Sequence, residues 1–113
     1  LKRGEVWTAS AGQDYTGKPR PVVIVQDDSF DATTSVTICA FTSDATEAPL
    51  FRLEVEARDG NGLRVKSRLM VDKITTVPKV KLGMKIGALD DVDLMRLNRA
   101  IAVFLGLASS SRG

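Results

Sequence analysis

Helical periodicity appears once in this chain, and it comes last. Across "DDVDLMRLNRAIAVFLGL", residues 90–107, Leu94, Leu97, Ile101, Phe104 and Leu105 recur at the spacing that lines one face of an α-helix. Asp90 suits the N-cap, Asp91 and Asp93 suit the positive end of the helix dipole, and Gly106 suits the stop. Everything ahead of this helix is made of short β-patterned runs separated by turn residues. A chain ordered that way has no strand–helix–strand alternation, so a parallel α/β fold is excluded.

The runs are distinct. "GEVWTA" reads as a short first strand, and "SAGQDYTGKP" as a loop rich in glycine and polar residues. "RPVVIVQ" is β-branched and apolar on both faces, as a central strand should be. "DDSFDATTS" is a turn, "VTICAFTS" the next strand, and "DATEAPL" a second loop. "LFRLEVEA" alternates cleanly, with Leu50, Arg52, Glu54 and Glu56 on one side and Phe51, Leu53 and Val55 on the other. "RDGNG" is a turn, "SRLMVDKI" a strand, "VPKVKLG" a single helical turn, and "KIGAL" a last short strand. The pattern predicts a mainly β fold: a strongly twisted antiparallel sheet or barrel of about six short strands, closed by the C-terminal helix. With 113 residues the chain is one domain, expected over 1–108, with 109–113 a disordered tail.

Composition narrows the chemistry. There is no histidine, so Ser-His-Asp and Cys-His arrangements are excluded, and a zinc site finds few ligands. Cys39 is the one cysteine, lies in an apolar run, and is expected to be buried rather than reactive. No phosphate-binding glycine loop or dinucleotide fingerprint is present. No apolar run approaches the roughly 20 residues that span a bilayer, and nothing resembles a signal peptide, so the expectation is cytoplasmic with no membrane. Arginine, lysine, aspartate and hydroxyls remain, a set suited to phosphate chemistry.

The net charge is only +2, but residues 66–85 hold Lys66, Arg68, Lys73, Lys79, Lys81 and Lys85 against one carboxylate, Asp72. That strip is either a polyanion surface or a solvated face, and charge alone favours the second. Arg20 is more pointed. Pro19 and Pro21 restrict the backbone on both sides of it at the mouth of a buried strand. It is either a guanidinium held for a phosphate, or an edge arginine paired with Asp27, Asp72 or another carboxylate.

Five segments then stop being generic. "RGEVW", "RPVVIVQDD", "FTSD", "SRLMVDKI" and "KIGALDDVDLMRLNRAIAVFLGL" resemble, in order and over residues 2–107, the MazF/PemK family of type II toxin endoribonucleases. The resemblance implies an SH3-like barrel with a C-terminal helix, acting as a homodimer without metal or cofactor. Its substrate would be single-stranded RNA, cut by attack of a ribose 2′-hydroxyl to leave a 2′,3′-cyclic phosphate and a 5′-hydroxyl. It also implies an antitoxin with an acidic tail, which the basic strip would suit.

Carried over, Arg20 stabilises the phosphorane, Thr42 holds the scissile phosphate, and Asp72 is the candidate for proton transfer. Asp72 can equally be an ion pair with Lys73 or Arg20. Lys18, Ser43, Lys73 and Thr75 are the candidates for RNA contact, with Tyr15 placed to stack on a base. The chain departs from the family at Met70, where some relatives carry a catalytic arginine, at the Lys73-Ile74-Thr75 step, and at Asp14 and Tyr15. Two other readings stand beside this one. A gyrase-poisoning toxin of the same fold needs a tryptophan-containing tail, whereas Trp7 is the sole tryptophan here. An inactive barrel that binds RNA or a peptide is the other.

Overall fold

The longest strand organises the sheet. In the computed structural model, which describes residues 1–10, 18–44 and 51–109, β3 (Ser35–Thr42) uses both of its edges. β2 (Arg20–Ile24) pairs antiparallel with it along Ile38–Ala40. On the other edge β6 (Thr75–Pro78) takes Ser35–Ile38, and β5 (Ser67–Met70) takes Phe41 and Thr42. β1 (Glu5–Ala9), β4 (Arg52–Val55) and β7 (Leu82–Ala88) complete the sheet, in the order β4-β5-β3-β2-β1-β7 with β6 branching from β3.

This sheet is open. β4 and β7 are its two ends, and no strand pairing joins them among the described residues, which corrects the expected SH3-like barrel. Among the described residues the sheet has seven strands, where about six were expected. The physical reason lies in β7 and the turn beside it. β7 shifts register against β1 twice, and Ala88 N–H donates at 2.9 Å to the carbonyl of Gly60, in a turn rather than a strand. Gly62 has φ +74°, and a Cβ there would sit 2.3 Å from the Ile86 carbonyl oxygen. At Gly87 a Cβ would lie 2.5 Å from the Gly60 oxygen. Two glycines thus let the 58–62 turn press backbone to backbone on β7, where a closing strand would otherwise pair.

"SRLMVDKI" is not one strand. Val71–Lys73 forms a 3-10 turn between β5 and β6, because the Val71 N–H turns to the Phe51 carbonyl at 3.0 Å and Asp72 pairs with Arg52. The helical turn expected in "VPKVKLG" is Lys79–Lys81.

Alternation along the strands buries both faces. One cluster holds Val6, Val23, Cys39, Phe41, Leu69 and Leu97; the other holds Ala9, Val22, Ile24, Val36 and Ile38. α1 (Asp91–Phe104) covers the first cluster with Leu97 fully buried and Leu94, Ala100 and Ile101 packed beside it. Burying one leucine side chain is worth about 2 kcal/mol. The Asp90 carboxylate accepts from Asp93 N–H at 2.8 Å, as an N-cap should, and Gly106 ends the helix at φ +78°. Phe104 and Leu105 share the helical spacing but stay largely exposed, Phe104 meeting Phe51 with ring centroids 6.4 Å apart. No helix among the described residues is long and apolar enough to cross a membrane. The disordered-tail expectation falls mostly on residues 110–113, outside the described residues.

Candidate functional site

Strand register brings the two principal candidates together. Val22 faces Ala40, Val23 faces Cys39 and Ile24 faces Ile38. Carrying that antiparallel register back two residues sets Arg20 across from Thr42. Residues so placed have Cβ atoms about 5 Å apart. On its other side Arg20 pairs with Ala9 of β1. Arg20 is therefore at the first position of a central strand, exposed, with a proline on each side and β1 paired beside it.

A cleft of about 600 Å³ opens there. Lys18, Pro19, Arg20, Thr42 and Ser43 line one part of it, and the 62–65 segment with Met84 and Ile86 of β7 lines another. Phe41, buried, and Thr8 contribute to the lining between them. The charged groups of the lining are Lys18, Arg20 and Arg64; no described carboxylate takes part. A cleft with three cations and four hydroxyl side chains favours a phosphodiester, since guanidinium and ammonium groups donate to its oxygens and hydroxyls can add further donors.

Thr42 meets a local need and keeps a donor spare. Its Oγ1 accepts from Asp44 N–H at 3.1 Å, the backbone duty expected of a threonine at a strand end. That bond uses a lone pair and not the hydroxyl proton. The O–H remains available to donate into the cleft.

Thr8 and a bulge shape the β7 wall. The Met84 N–H donates to Thr8 Oγ1 at 3.0 Å, at a register shift between β1 and β7, and a Cβ on Gly83 would lie 2.5 Å from that oxygen. Bulges of this kind re-aim side chains. Here Met84 is left 64% exposed on the cleft rim.

The remaining predicted residues are elsewhere. Asp72 sits on the 3-10 turn after β5, half-buried, with its Oδ1 accepting from Arg52 Nη1. Its partner is thus neither Lys73 nor Arg20, the two weighed from sequence. Asp72, Lys73 and Thr75 do not line the cleft. Tyr15 and Asp14 lie outside the described residues. Arg64 was not singled out from the sequence. Its signal in the sequence is faint: a single cation just after the "DGNG" turn and beside a denser basic run.

That basic run is mostly neutralised. Lys66 and Arg68 pair with Glu54 at 3.8 and 3.0 Å, Lys79 with Asp31 at 3.0 Å, and Lys85 with Glu5 at 3.1 Å. The Lys79 hydrogen bond, together with the N-terminal ammonium, holds the Asp31 carboxyl below its ordinary value against the cost of burial. Burial opposes ionisation of Glu5, but hydrogen bonds from Lys2 N–H, the Trp7 indole and Lys85 prevail and keep its carboxyl low. Burial pushes the Cys39 thiol up to about 12, so it is an inert core residue.

Among the described residues no group of three or more histidine, cysteine, aspartate or glutamate side chains is placed to hold a metal ion.

Comparison with known proteins accounts for this arrangement. Residues 2–105 match the family described as PemK-like, MazF-like toxin of type II toxin-antitoxin system. The chain is 51% identical over 108 residues to the probable endoribonuclease MazF of Mycolicibacterium smegmatis, covering 96% of this chain and 99% of that one. Among solved structures, the Mycobacterium tuberculosis toxin MazF-mt6 superposes with a TM-score of 0.76 at 26% identity, over 92% of this chain and 98% of the other. A mycobacterial endoribonuclease solved in complex with its cognate antitoxin shares the fold, with a TM-score of 0.80 at 24% identity over 96% and 97% of the two chains. A family match across nearly the whole chain, with a relative at half identity over the same span, fixes the assignment: this chain belongs to the PemK-like, MazF-like toxins of type II toxin–antitoxin systems.

Proposed function

We propose that the protein is the toxin of its pair, an endoribonuclease that cuts single-stranded RNA in the cytoplasm without a metal ion. The observation that carries this reading is that Arg20 and Thr42 line the same part of a cleft whose charged lining is cationic. RNA supplies its own nucleophile. The ribose 2′-oxygen bonds to the adjacent phosphorus, the P–O5′ bond breaks, and the products are a 2′,3′-cyclic phosphate and a 5′-hydroxyl. Negative charge grows on the non-bridging oxygens as the phosphorane forms. Arg20 stabilises that charge, a task that suits a group whose pKa above about 12 makes it a poor base. The Thr42 hydroxyl donates to a phosphate oxygen, with Lys18 and Ser43 as neighbouring contacts.

Asp72 has its Oδ1 engaged by Arg52 and stands apart from this cleft. In our reading it secures the 3-10 turn, and the 2′-hydroxyl proton passes to water while the 5′-oxygen takes one back. Such a route is slow, as suits a toxin that needs few cuts. The acting form is a homodimer, with the acidic tail of an antitoxin competing for the same cationic lining; the family assignment supports both.

The test is to incubate the purified protein with a long single-stranded RNA and EDTA, then map the fragment ends. Defined cuts with cyclic-phosphate and 5′-hydroxyl ends are expected, absent with Arg20→Ala. Intact RNA from folded wild-type protein overturns the proposal.

A further inference from the structure

We propose that Arg64 is a second phosphate-binding residue, holding a phosphate that flanks the one being cut. The inference rests on the RNA-cleaving reading above and adds a contact that reading does not use. Three observations carry it.

Arg64 is exposed, lines the cleft, and makes no ion pair among the described residues. Its cationic neighbours do: Arg58 approaches Asp90 at 3.7 Å, and Lys66 and Arg68 share Glu54. The fold thus neutralises the cations on either side of Arg64 and leaves this one charge facing the cleft.

The backbone beneath Arg64 is fixed. Asn61 is 2% exposed and accepts from both Arg58 N–H and Leu63 N–H while donating to the Glu56 carbonyl. The Gly62 contact with the Ile86 carbonyl and the Gly60 bond from Ala88 pin the same turn to β7. An arginine carried on such a platform loses less freedom on binding than one on a loose loop.

The chemistry of the cleft is divided. Lys18 and Arg20 supply cations from the β2 side, and Arg64 supplies one from the β7 side beside Val65, which is 59% exposed. A nucleic-acid strand carries a charge at every nucleotide, so a strand with one phosphate on Arg20 presents another to a cation across the cleft. A phosphate contact positions the strand and carries no sequence information. Arg64 therefore contributes to grip and not to the choice of cleavage motif.

The experiment measures binding of a random-sequence RNA oligonucleotide, 2′-O-methylated so that it cannot be cut, by fluorescence anisotropy between about 50 and 200 mM salt. For Arg64→Ala the slope of log K against log salt should be shallower by about 0.7, the value for one lost single-strand phosphate contact. Arg64→Lys should keep the slope. With cleavable RNA, Arg64→Ala should raise KM, hold kcat, and leave the cleavage motif unchanged. A wild-type slope in Arg64→Ala overturns this inference alone. A changed cleavage motif also overturns it, because Arg64 would then be reading a base. If the wild-type protein shows no salt-dependent binding and no cleavage, the RNA reading itself fails and takes the inference with it.

Discussion

Two sets of cations in this molecule teach opposite lessons. Residues 66–85 hold the densest basic run in the sequence, yet four of its six cations lie within 4 Å of carboxylates that are remote in the chain. Lys18, Arg20 and Arg64 are scattered, form no run, and line one cleft. Density along the chain says little about the field at a surface, because folding decides which charges meet. β3 brings Arg20 to Thr42, and the 58–62 turn brings Arg64 to the same opening.

The comparison breaks most visibly at Arg20. Arg20→Ala should lower the single-turnover cleavage rate by about 100- to 1,000-fold, the usual loss on removing one preorganised donor to a developing oxyanion. Circular dichroism and the unfolding midpoint should not change, since the side chain is exposed. Near-wild-type cleavage would sink the role given to it.

Arg52 should act differently, through stability. Arg52→Ala leaves Asp72 half-buried without its guanidinium, at an expected cost of about 2 kcal/mol in urea unfolding. An unchanged midpoint would show that the pair holds nothing together.

Glu5 offers a pH test of the same idea. Its folded carboxyl titrates below the ordinary value of 4.5, so its contribution is present above that pH and is lost as pH falls through the lower folded value. Glu5→Gln should therefore be less stable at neutral pH and lose less stability on acidification. Parallel pH–stability curves for the two proteins would contradict this.

Smallest of all, alanine at Lys66, Lys79 or Lys85 should change RNA binding less than about two-fold and stability by under about 1 kcal/mol, as for exposed ion pairs generally. A large loss of RNA binding in these variants would return the binding surface to the basic run.

What could be read from the sequence was what is decided locally. The helix was legible because its cap, dipole charges, apolar spacing and stop all lie within residues 90–107, and Asp90 and Gly106 do what their residue types favour. β2 and β3 were legible from β-branched apolar runs. The break at Val71–Lys73 was not, because it depends on Phe51 and Arg52, about twenty residues away. Barrel closure failed for the same reason: it turns on how a glycine turn meets β7, which no period along the chain encodes. At the site, the Pro-Arg-Pro constraint marked Arg20 as a restrained cation but left open whether its partner is a phosphate or a carboxylate. Arg64 had no comparable mark, since its place at the cleft comes from the 58–62 turn and from neighbours that are paired when, among the described residues, it is not.

The interlocked glycines of the 58–62 turn and β7 set terms for how this protein can diversify. Because Gly62 and Gly87 touch backbone with no room for a Cβ, an inserted residue or a larger side chain there lifts the turn off β7 and moves Arg64 with it. Residues 64 and 65 are under no such restraint, since both are exposed and point their variation outward to the cleft. Descendants of this chain are free to repaint this wall but not to resize it, and change on this side must arise by substitution rather than by changes in loop length.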